Sequence, residues 1–128
     1  MTLEEAIIAR LVAAATPAGS RIFREVIMQE PALPAVAVAR TSGEAVVRDA
    51  SGAPLLNRSR VNVTILGADV ASTSSCALAV RTSLDNWKGT SSDVVIETAR
   101  WRSDSDRADA DGDKLLRMIV QDYEFIHR

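Results

Sequence analysis

Five of the ten residues in Asp104–Asp113, which reads DSDRADADGD, are aspartate, and Gly112 sits near its end. Clustered carboxylates attract hard cations, so calcium is the first chemistry to weigh. A calcium loop of the EF-hand type needs acidic ligands at positions 1, 3 and 5, glycine at 6 and glutamate at 12. With Gly112 at position 6, position 1 is Arg107 and position 12 is Met118; with Asp109 at position 1, position 6 is Lys114. Neither register works, and the flanks read as strands rather than helices. The stretch reads instead as a solvated hairpin turn, with Asp111-Gly112 as its signal. A negative loop also repels phosphates, but that use exists only inside a channel that carries nucleic acid.

Nucleophilic chemistry has one cysteine, Cys76, and one histidine, His127, to draw on. A thiol–imidazole pair would need these two adjacent in space. Cys76 falls in a helical stretch beside Ala77, where a buried inert thiol is the common case. No phosphate loop, dinucleotide fingerprint, paired-cysteine motif or zinc-protease motif occurs. The acid pair Glu4/Glu5 reads as a helix start satisfying the macrodipole. The expectation is therefore no enzyme, no cofactor and no metal. Trp87 and Trp101 are the only tryptophans and suit either a core or an interface.

The elements that must carry these residues follow from caps and periodicity. Thr2-Leu3-Glu4-Glu5 is a capping box, and Leu3, Ile7 and Leu11 follow on one face. Pro17 and Gly19 end that helix. Arg21–Ile27 suits a short strand, and Pro34–Arg40 alternates weakly. Gly43–Ser59 is polar and reads as either an extended arm or the long loop of a hairpin. Val61, Val63 and Ile65 alternate with Asn62 and Thr64, a half-buried strand. Asp69 caps a second helix whose apolar face is Ala77, Val80, Leu84 and Trp87. Val94–Arg102 is a further strand. Leu115–His127 carries apolar residues on both faces, which predicts a central strand. The predicted order is α-β-β-β-α-β-β. The simplest packing is α+β, a mainly antiparallel sheet of four to five strands with two helices on one face, in one domain over 1–128.

The 128 residues suffice for an aliphatic core without disulfides. Net charge is −2, which argues against a dedicated nucleic-acid binder. Lysine occurs only at Lys88 and Lys114, so positive charge is almost all arginine. That suits interface ion pairs, and equally a codon bias toward arginine. The first residues lack a basic segment followed by a long apolar one, and no apolar run approaches membrane length. The expectation is a soluble protein made in a cytoplasm.

Five local words occur in order: Gly19-Ser-Arg-Ile-Phe23, Leu33-Pro-Ala-Val36, Arg40-Thr-Ser-Gly43, Leu84-Asp-Asn-Trp-Lys-Gly-Thr90 and Gln121-Asp-Tyr-Glu-Phe-Ile-His127. In order, spacing and total length they resemble the tail-terminator or tail-completion proteins of long-tailed phages and gene transfer agents. The resemblance implies a structural virion protein with no reaction or cofactor. It would form a ring, typically hexameric, on the head-proximal end of the tail tube. Its partners would be copies of itself, the tube protein and the head–tail connector or stopper. DNA would cross its lumen without specific binding, and no membrane would be involved. The particle would assemble in the host cytoplasm. A neck connector or stopper is the alternative within that class, and a small ligand-binding α+β domain the alternative outside it. The family turn before the last strand is less acidic than Asp104–Asp113, which leaves a lumen role for it open.

A ring needs heterologous contacts that close. The charge separation along the chain nominates Arg48, Arg58, Arg60, Arg100 and Arg102 on one side. On the other it nominates Asp104, Asp106, Asp109 and Asp111. The Gly43–Ser59 arm is the expected reach toward the tube.

Overall fold

The computed structural model describes residues 2–25, 32–91, 93–111 and 114–128, with 109–111 and 114–115 described as backbone only. The elements are α1 (Leu3–Ala13), β1 (Ile22–Arg24), β2 (Ala35–Arg48), β3 (Pro54–Gly67), α2 (Val70–Leu84), β4 (Gly89–Ser91), β5 (Val94–Asp111) and β6 (Lys114–His127).

Both helices begin where side-chain caps satisfy their first N–H groups. Thr2 and Glu5 form a reciprocal capping box on α1. The Asp69 carboxylate accepts from the Ser72 N–H at 2.7 Å to start α2. Those hydrogen bonds hold the Asp69 carboxyl below the usual aspartate range.

The strands form one sheet in the order β1-β2-β3-β6-β5-β4. This corrects the expected four- to five-stranded, mainly antiparallel sheet: among the described residues there are six strands, the pairing is mixed, and the sheet curls into a half-barrel. The parallel pair is β1 with β2, with Ile22 opposite Val36 and Arg24 opposite Val38. Parallel neighbours need a connection that carries the chain back to its starting end. The missed strand, β4, is Gly89-Thr90-Ser91, three residues with no hydrophobic alternation to betray it. Register slips in β2 between Arg40 and Ser42, and in β5 between Ile96/Thr98 and Trp101/Ser103, add local twist and help the sheet curl.

The Gly43–Ser59 stretch belongs mostly to a hairpin of two 14-residue strands, β2 and β3, turning at 49–53. The aspartate stretch differs more from its expectation. Residues 104–111 are strand, paired with β6 as far as Asp111 opposite Lys114. Of the expected turn signal Asp111-Gly112, Asp111 is the last residue of β5 and residue 112 lies outside the described residues.

One sheet face meets both helices. Val61, Val63 and Ile65 alternate inward from β3, and Tyr123 and Phe125 from β6. They pack with Leu3, Ile7 and Leu11 of α1 and with Ala77, Val80 and Leu84 of α2. The start of α2 lies close over Gly67, where an added Cβ would lie 3.2 Å from the Thr73 Cα. Inside this aliphatic layer runs one polar chain. The Tyr123 hydroxyl donates to Gln121 Oε1 at 2.6 Å, and Gln121 Nε2 donates to the Ala77 carbonyl at 3.0 Å. It ties the central strand to the middle of α2.

Candidate interaction surfaces

On the sheet face turned away from the helices, β3 and β6 alternate charges in register. Arg60 lies opposite Glu124, Arg58 opposite Ile126, and Asn62 opposite Asp122. From β2, Glu44 lies opposite Arg58. The side chains join into a ladder. Arg58 Nη1 meets Glu44 Oε1 at 2.8 Å, and Arg58 Nε meets Glu124 Oε1 at 3.6 Å. Arg60 Nη1 meets Asp122 Oδ2 at 2.7 Å, and Arg60 Nε meets Glu124 Oε2 at 3.7 Å. Two arginines thus share three carboxylates, and Arg100 stands opposite Glu124 from β5. Such half-exposed pairs contribute little singly, but a network fixes geometry across three strands. Together with Ser42 and Gly43, the Glu44–Arg58–Arg60–Glu124 part lines a cleft of about 460 Å³.

A second cluster lies where α1 begins. Glu4 is buried and pairs with Arg24 at 3.5 Å and Arg40 at 3.7 Å. Nearby, His127 Nε2 is 2.9 Å from the Ser59 Oγ. With the ring proton on Nδ1, the hydroxyl donates to Nε2. Burial, and then the Arg40 charge, push the His127 pKa below that of a free histidine. Its environment is separate from that of Cys76, whose thiol is raised mainly by burial and feels Ala18 and Arg21. The two groups weighed for nucleophilic chemistry thus sit in different surroundings. A serine–histidine contact is present, but Ser59 is itself buried.

The nominated residues scatter. Arg58 and Arg60 meet in the ladder, and Arg100 joins them by register. Arg48 sits at the hairpin tip and donates to the Gly52 carbonyl at 2.7 Å. Arg102 is exposed at a register slip of β5, and neither it nor Arg100 forms an ion pair with another described residue. Asp104 accepts from the Trp101 Nε1 at 2.6 Å. Asp106 is exposed in β5, and Asp109 and Asp111 are placed only by backbone, opposite Leu116 and Lys114. Sequence reasoning missed Glu44, Asp122 and Glu124. Their signal was the acid alternation Asp122, Glu124 on a strand, which needed its partner strand to be read. Trp87 is buried, with the Arg10 guanidinium 4.7 Å from its ring; Trp101 carries Arg81 at 3.7 Å.

Among the described residues no three His, Cys, Asp or Glu side chains gather as a metal site. Among the described residues no helix is long and apolar enough to cross a membrane.

No family model and no curated protein matches the chain. A solved structure does. The fold is similar to that of a chain in the virion of a native gene transfer agent particle, with a TM-score of 0.64 and 14% sequence identity. The match covers 98% of this chain and 95% of that one. At that identity the likeness is one of fold. It takes in nearly the whole length of both chains.

Proposed function

We propose that this chain is a structural protein of a tailed, phage-like particle, and that its specific role is the ring closing the head-proximal end of the tail tube. The observation that carries the reading is the end-to-end fold likeness to a virion chain of nearly equal length. The ordered local words of the sequence point the same way by a separate route. The surfaces agree in character: the exposed chemistry is ion pairs, short ribbons and uncharged patches, which suit contacts between proteins.

In this reading copies of the chain meet head to tail and close, in six copies as the resemblance implies. One rim meets the last layer of tube protein and the other meets the head connector. DNA passes through the lumen without being read. The ladder of Glu44, Arg58, Glu124, Arg60 and Asp122 stiffens the sheet across β2, β3 and β6. Exposed Arg100 and Arg102 remain available to a neighbour.

The test is tube capping. Purified protein is added to the tube protein of the same particle as it polymerises, and tube lengths are measured by negative-stain microscopy. Short tubes with a ring at one end are expected. Tubes of unchanged length with no ring would contradict the terminator role, and binding only to the head connector would move the chain to the neck.

A further inference from the structure

We draw no further inference here: the strongest candidate, the pair of outer strand edges with no strand beside them among the described residues, on β2 past Val38 and on β5 past Trp101, carries charged side chains of both signs along each edge, and nothing in the structure shows what covers either one.

Discussion

Gln121→Met is the sharpest test of how the central strand holds α2. Gln121 is 1% exposed, and Tyr123, whose hydroxyl it accepts, is fully buried. Burial above all, helped by the charges of Asp104 and Asp85, pushes the Tyr123 pKa far upward, so the phenol stays protonated and needs an acceptor at every working pH. Methionine fills similar volume but accepts poorly. The substitution leaves the phenol O–H unsatisfied at a cost of about 1–3 kcal/mol and removes the bond to Ala77 at about 1 kcal/mol more. Tyr123→Phe removes the other partner and leaves Gln121 Oε1 unpaired, again about 1–2 kcal/mol. In the double variant neither group remains to be unsatisfied at the shared bond, so the total falls short of the sum by about 1 kcal/mol or more. Urea unfolding followed by circular dichroism measures all four proteins, with an unchanged denaturant slope expected. A Gln121→Met cost within about half a kcal/mol of zero would refute the reasoning, since that is the range of unconstrained surface positions. Strict additivity would refute it as well.

Gly67→Ala should destabilise by about 1–3 kcal/mol, because its Cβ meets the Thr73 side chain and backbone and α2 must shift to admit it; a denaturation midpoint equal to wild type would show that α2 yields freely. The His127 pKa is lower in the folded protein than in the unfolded chain, so the unfolded state binds more protons on acidification. Stability should therefore be flat above about pH 6.5 and fall as pH drops below it, and His127→Asn should flatten that limb; thermal melts across this range check it. Reversing Arg100 and Arg102 to Glu should abolish ring assembly while leaving a folded protein by circular dichroism; intact rings in sizing and microscopy would remove these two from the interface.

What the sequence made legible was local chemistry. The helix starts were visible because a cap is a short-range hydrogen bond between neighbours, as at Thr2/Glu5 and Asp69/Ser72. The central place of β6 was anticipated from apolar residues on both its faces, and it does lie between β3 and β5, although its outer face also carries the Asp122 and Glu124 of the ladder. What was hidden depends on partners far along the chain. Gly89–Ser91 is a strand because β5 offers it an edge. Ile22–Arg24 is a strand because β2 offers it an edge, and its parallel pairing is not written in its three residues. Asp104 and Asp106 look like turn residues by composition, yet pairing with β6 draws them into a strand. The ladder escaped notice for the same reason. Arg58 and Arg60 were nominated for contacts with neighbouring subunits, and the β3–β6 register also gives them Glu124 and Asp122 within the chain. Charge sign can be read from sequence, but whether a charge is already matched depends on the fold.

The most direct measurement is to delete the gene in its host and image the particles by negative-stain electron microscopy, recording tail length and head attachment. Overlong or headless tails are the predicted result, restored by the wild-type gene. Particles with normal tails joined to heads would contradict the central claim.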